Sequence, residues 1–362
     1  MLLFTTVFVT AVACKSPAPP PGDSAKPVAT APLAKPAEPS ASADVDPARL
    51  SAFGPLPADF AGGLELTEAK LALGRQLYYE KRLSKNHDIS CNTCHVLASY
   101  GVDGLPVSNG HKGQKGARNS PTVYNAAGHS VQFWDGRAAT VEAQATGPIT
   151  NPEEMAMADG AAVAKVLRSI PEYVAAFKAA FPRDKSPVTY ENAAAAIGAF
   201  ERKLTTPSRF DKFLAGDKEA LTADERRGLN TFVETGCTIC HSGVLVGGSM
   251  YQELGLVKPY RDTSDLGRFA ETKQEADKMF FKVPSLRNVD KTAPYLHNGK
   301  IASLSEMVKL MAEYQLGKTL TEPQVAAIVS FLGSLTGELP TDFIKEPTLP
   351  KSTAATPKPD PT

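Results

Sequence analysis

The sequence carries no surplus of either charge, with 39 Lys plus Arg against 39 Asp plus Glu in 362 residues. That balance excludes the strongly basic surface by which proteins hold nucleic acid non-specifically, and leaves any docking patch to local charge. Long hydrophobic runs are missing too. The opening stretch, Met1 to Cys14, is apolar but shorter than the roughly 20 residues that span a bilayer. Strand-like alternation is scarce, so the class is mainly α. Tryptophan occurs once, at Trp134. Cysteine is sparse and none is left over: besides Cys14 there are four, all paired as Cys-x-x-Cys.

The first segment, residues 1–14, ends in Ala11-Val12-Ala13-Cys14, similar to a bacterial lipoprotein signal in which the cysteine becomes the lipidated N-terminus. No Lys or Arg precedes the apolar run, and a mis-assigned start codon would also give a short signal; both readings imply export. The expected location is the periplasm, with a lipid anchor at Cys14 as the only membrane contact. Residues 15–48 are rich in Pro, Ala, Ser and Lys and cannot bury enough surface to offset their entropy, so an extended tether is expected. Residues 346–362 have a similar composition and are expected to form a disordered tail.

Between these ends the pattern is helical. Thr222-x-x-Glu225, Ser303-x-x-Glu306 and Thr321-x-x-Gln324 are capping-box patterns ahead of apolar residues at helix period. Ala161 to Phe181 places Val163, Val166, Leu167, Ile170, Val174 and Phe177 at helical spacing, and Tyr190–Leu204 and Glu322–Leu335 read likewise. The two halves echo one another. Pro121-Thr122-Val123-Tyr124-Asn125 matches Pro284-Ser285-Leu286-Arg287-Asn288, and 15 residues after each proline comes a glycine, in Asp135-Gly136-Arg137 and Asn298-Gly299-Lys300. Duplication of one domain is expected, over residues 49–208 and 209–345.

Each half also holds one Cys-x-x-Cys-His: Cys91-Asn92-Thr93-Cys94-His95 and Cys237-Thr238-Ile239-Cys240-His241. Covalent c-type haem attachment needs two thiols for the two vinyl groups and an imidazole directly after the second as proximal ligand. A zinc ribbon would bring its cysteine pairs about 15–20 residues apart; Cys94 and Cys237 are 143 positions apart. Redox motifs need a strand–helix context that is absent, and structural disulfides would not need His twice. Two cytochrome-c-like haem domains are therefore expected.

With these residues in place, the chain resembles the bacterial di-haem cytochrome c peroxidases over residues 50–345. The resemblance implies a low-potential N-terminal haem on His95, with a distal His111 in a Gly-rich loop (Gly110, Gly113, Gly116). It implies a high-potential C-terminal haem on His241 and Met311, with Met307 as rival. Trp134 matches the tryptophan between the haems, and Gln144 and Glu154 match the distal-pocket pair, Glu153 being adjacent. Asn119, Thr292 and Pro294 match a Ca²⁺ site completed by waters. The implied activity is reduction of H₂O₂ to water with electrons from a small c-type cytochrome or a cupredoxin, and the implied assembly is a homodimer. Two alternatives stand beside it. One is a methylamine-utilisation relative that oxidises a partner protein and carries a distal tyrosine, for which Tyr314 is nearby; the other is a non-catalytic electron carrier. His87, His129 and His297 have no assigned role.

Overall fold

The structure, a computed structural model, describes residues 42–362; the expected signal with Cys14, and the tether as far as residue 41, lie outside the described residues. The first half contains α1 (Pro47–Leu50), α2 (Glu68–Tyr79), α3 (Cys91–Cys94), α4 (Val141–Thr150), α5 (Gly160–Arg168), α6 (Pro171–Ala180) and α7 (Tyr190–Glu201). The second contains α8 (Arg209–Leu214), α9 (Ala223–Thr235), α10 (Phe269–Thr272), α11 (Leu304–Leu316) and α12 (Glu322–Ser334). One antiparallel ribbon, β1 (Tyr251–Glu253) with β2 (Phe280–Lys282), pairs Tyr251 with Lys282. No described helix is long and apolar enough to cross a membrane.

The capping signals are seen at Thr222 and Thr321, where both reciprocal bonds form; Ser303 only accepts from Glu306. The stretch from Ala161 to Phe181 differs from its single-helix pattern. It breaks between α5 and α6 because Pro171 offers no N–H and forces Ile170 into extended backbone (φ −119°, ψ 105°).

Each half is built on one tight helix pair. A Cβ on Gly74 of α2 would lie 1.9 Å from the Ala196 carbonyl of α7, and one on Gly228 of α9 would lie 2.0 Å from the Ala327 carbonyl of α12. Only glycine permits these crossings. Around the pairs form two apolar cores, one drawn from Leu73–Leu204 plus Ile344, the other from Phe210–Leu335. The Pro-x-x-x-Asn segments repeat in detail as well. Asn125 and Asn288 are both left-handed at φ 61°, a conformation asparagine tolerates better than most residues. Both donate from Nδ2 to the hydroxyl of Thr206, at 2.8 and 2.9 Å.

Both ends of the described residues cross over between the halves. Asn230 of α9 donates to the carbonyls of Ser42 and Asp44, and Phe53 meets Phe210 edge to face. Residues 346–362, expected to be disordered from composition, instead run as extended chain over the first half. Arg82 donates to Ser352 and to the Pro350 carbonyl, Thr353 donates to the Ser169 carbonyl, and Lys85 donates to the Thr362 carbonyl. Composition missed this because the tail is held through its own carbonyls and hydroxyls, which leave no hydrophobic pattern.

Thr206 is fully buried. Thr206→Val keeps the shape but leaves two buried amide donors without an acceptor, at about 1–3 kcal/mol each. A clearly lower denaturation midpoint is expected; an unchanged midpoint would deny the hydroxyl this role.

Candidate active site

Two cavities are lined by the two cysteine pairs, and they meet at Trp134. The first is walled by Ile89, Val123, Val141, Ile149 and Met155, and holds Cys91, Cys94 and His95. α3 presents the pair on one turn, capped by reciprocal Ser90–Thr93 bonds, and the His95 N–H closes the turn on the Cys91 carbonyl. Two bonds fix His95: Tyr78 donates to its carbonyl at 2.8 Å, and its Nδ1 lies 2.9 Å from the Pro121 carbonyl. A carbonyl only accepts, so Nδ1 carries the proton and Nε2 keeps a free lone pair. Burial lowers the pKa of His95, favouring the neutral imidazole that binds iron.

The second cavity holds Cys237, Cys240 and His241 among Phe232, Leu254, Val283 and Leu332. Burial brings His241 down to about 4, against the backbone at Val246 and Pro284, which favours the charged form. Its Nδ1 is buried without a well-formed hydrogen bond. Burial also raises the thiols, Cys91 strongly, Cys94 to about 11 and Cys237 to about 12, away from the thiolate that zinc requires. The pairs line separate cavities, and among the described residues no cluster of His, Cys, Asp or Glu is placed to hold a metal ion. Paired cysteines, each pair followed directly by a buried imidazole, and apolar walls fit a c-type haem in each cavity.

The first cavity also receives Gln144 from α4 and Glu154 from the turn after it. Glu153 is exposed, whereas Glu154 is half-buried and accepts from Asn151 Nδ2 at 3.0 Å. Burial raises the pKa of Glu154 despite that bond and the charge of Arg137. His111 does not line the cavity. Its backbone N–H donates to the Glu154 carbonyl at 2.7 Å, its Nε2 lies 3.3 Å from the Thr362 carbonyl, and its Nδ1 is buried without a partner.

Trp134 lines both cavities. Its Nε1 donates to the Asn119 carbonyl at 3.0 Å, its carbonyl accepts from Lys282 at 2.8 Å, and its ring meets His297 edge-on. Met311 and Met307 of α11 both line the second cavity. Tyr314 does not, and packs edge-on against Tyr260 at 5.1 Å. Asn119, Thr292 and Pro294 share the wall of that cavity; Asn119 spends its Nδ2 on the Leu105 and Pro106 carbonyls, leaving Oδ1 as a neutral oxygen donor.

Sequence reasoning missed a polar network at the junction. Arg118 binds Asp135 at 2.5 Å and Asp265 at 2.7 Å, Arg137 binds Asp135 at 2.9 Å, and His297 stacks on Phe281 at 4.3 Å. Lys282 donates to or accepts from His129 Nδ1 at 2.9 Å. Arg118 is 17 and 147 positions from Asp135 and Asp265, and Lys282 is 153 from His129, so no local motif marks those pairs; only Arg137 and Asp135 are near neighbours in sequence.

A family profile described as di-haem cytochrome c peroxidase matches residues 68–219. The cytochrome c551 peroxidase of Pseudomonas aeruginosa is 45% identical over 331 residues, covering 89% of this chain and 95% of the relative. That of Nitrosomonas europaea is 47% identical over 291 residues, covering 80% and 86%. The methylamine utilization protein MauG of Methylorubrum extorquens is more distant, at 36% over 247 residues, covering 67% and 68%. Among solved structures, a MauG-like protein associated with microbial copper homeostasis superposes at TM-score 0.70 with 29% identity, over 81% of this chain and 96% of its own. The diheme peroxidase BthA of Burkholderia thailandensis shares the fold at TM-score 0.65 with 21% identity, over 82% and 94%. The chain belongs to the di-haem cytochrome c peroxidase family.

Proposed function

We propose that this chain reduces H₂O₂ to two waters with two protons and two electrons, the electrons coming from a small c-type cytochrome or cupredoxin in the periplasm. The observation that carries the reading is Glu154, a half-buried carboxyl on the wall of the first cavity with a raised pKa. When bound there on His95, a haem supplies the iron that takes up peroxide. The chain's own part is proton handling. Glu154 accepts the proton of the incoming peroxide and returns it to the departing oxygen, a task suited to a carboxyl whose two protonation states lie close in energy. Gln144, on the same wall, is the neutral hydrogen-bonding group that orients the peroxide.

We assign the second haem to His241 and Met311, and the passage between the sites to Trp134. Tyr314 packs on Tyr260, away from the second cavity, which disfavours the protein-oxidising alternative with a distal tyrosine. His111 is assigned as a displaceable ligand of the first haem, resting on the position of its loop beside Glu154. Calcium at Asn119, Thr292 and Pro294, a lipid anchor at Cys14 and a homodimer complete the reading. The matched Asn125 and Asn288 turns, and the matched Gly74 and Gly228 crossings, support duplication of one haem domain.

Glu154→Gln is expected to leave both haem spectra intact and lower the steady-state peroxidase rate by about 10²–10⁴-fold, the usual contribution of a general acid–base. The ionised carboxyl is the active form in the free enzyme. Because its pKa is raised, kcat/KM should fall with acidity through a limb above the ordinary value of 4.5, and that limb should vanish in the variant. A wild-type rate would remove Glu154 from the mechanism. Met311→Leu should abolish the thioether-to-ferric-iron band in the near infrared while Met307→Leu keeps it; the reverse would move the ligand one turn along α11.

A further inference from the structure

Lys282, at the end of β2, is 4% exposed and lines both cavities. A lysine ammonium has three donors, yet the only described bond of its Nζ is to His129 Nδ1, at 2.9 Å. If Nδ1 accepts, the imidazole carries its proton on Nε2, and that nitrogen is buried with no partner. The pair thus presents several buried N–H groups and no acceptor. Asp135, the opposite charge that acts on Lys282, is occupied by Arg118 and Arg137. Burial with so little compensation pulls Lys282 down to about 7 and His129 well below its ordinary range.

Surplus buried donors call for a ligand that only accepts and carries negative charge. A haem brings such groups: its propionates are carboxylates. We propose that Lys282 and His129 hold a haem propionate where the two cavities meet, making Lys282 a positioning residue for the electron path beside Trp134. Its amide already fixes the Trp134 carbonyl at 2.8 Å, so one residue ties the tryptophan and the propionate together. A lysine here also compensates the carboxylate close to the porphyrin, which favours the ferrous state. The inference rests on the two-haem reading above but not on peroxide as substrate.

The test is a spectroelectrochemical titration of the full chain with both haems attached, counted by pyridine haemochrome. Lys282→Met, which keeps length and loses charge, should lower the midpoint potential of at least one haem by about 59 mV or more, tenfold in a one-electron equilibrium constant. Lys282→Arg should restore it to within about threefold of wild type in that constant. Two unchanged potentials in Lys282→Met overturn the proposal, as does an Arg variant as shifted as the Met variant. If Lys282→Met fails to keep two haems, resonance Raman of the wild-type protein decides. A propionate bending band that shifts between H₂O and D₂O and loses the shift in His129→Leu supports the proposal; a band unmoved by exchange overturns it. A wild-type chain with fewer than two haems overturns the two-haem reading and this inference with it. Loss of peroxidase activity alone, with the potential shift intact, overturns only the assigned reaction.

Discussion

One buried hydroxyl joins the two halves of this molecule. Thr206 accepts from Asn125 and Asn288, and its own backbone N–H donates back to Asn125 Oδ1 at 3.1 Å, while Gly337 donates to Asn288 Oδ1 at 2.9 Å. A hydroxyl has two lone pairs, so both asparagines are satisfied by one side chain. Each asparagine closes the segment that begins at Pro121 or Pro284. The carbonyl of Pro121 fixes His95, and Pro284 lies beside His241. The segments that border both imidazoles, His95 through a ring bond and His241 by proximity, therefore end in two left-handed turns that share a single buried acceptor.

The same economy governs the junction of the cavities. Trp134, on the wall of both cavities, is held at its indole nitrogen, at its carbonyl and against His297. The surrounding charges are mostly spent on one another: Asp135 between two arginines, Asp265 on Arg118. In a low-dielectric interior such pairing is the condition for keeping charge at all. Lys282 departs from it, and that departure is what an arriving carboxylate would resolve.

The chemistry was legible because covalent haem attachment demands consecutive residues: Cys91, Cys94 and His95, like Cys237, Cys240 and His241, announce themselves at fixed spacing. The helices were legible from period and caps, with the error at Ile170 caused by a proline that periodicity does not weigh. What stayed hidden depends on the fold rather than on neighbours in sequence. Nothing about Phe280-Phe281-Lys282 shows that its lysine is buried next to His129, 153 positions earlier. Nothing in a Pro/Lys/Thr-rich end shows that Arg82 and Lys85 hold its carbonyls. Glu154 over Glu153 is a matter of register in the sequence; both line the first cavity, and Glu154 is the less exposed of the two.

The ring of His111 is only weakly held in its place. Its ring has one long contact, 3.3 Å to the Thr362 carbonyl, and a buried Nδ1 with none. A buried polar atom left unsatisfied costs about 1–3 kcal/mol, and the backbone bond from His111 to Glu154 returns only about 0.5–1.5. The backbone bond ends on the carbonyl of the residue with the raised pKa. Moving the His111 loop therefore either breaks that bond or carries Glu154 with it.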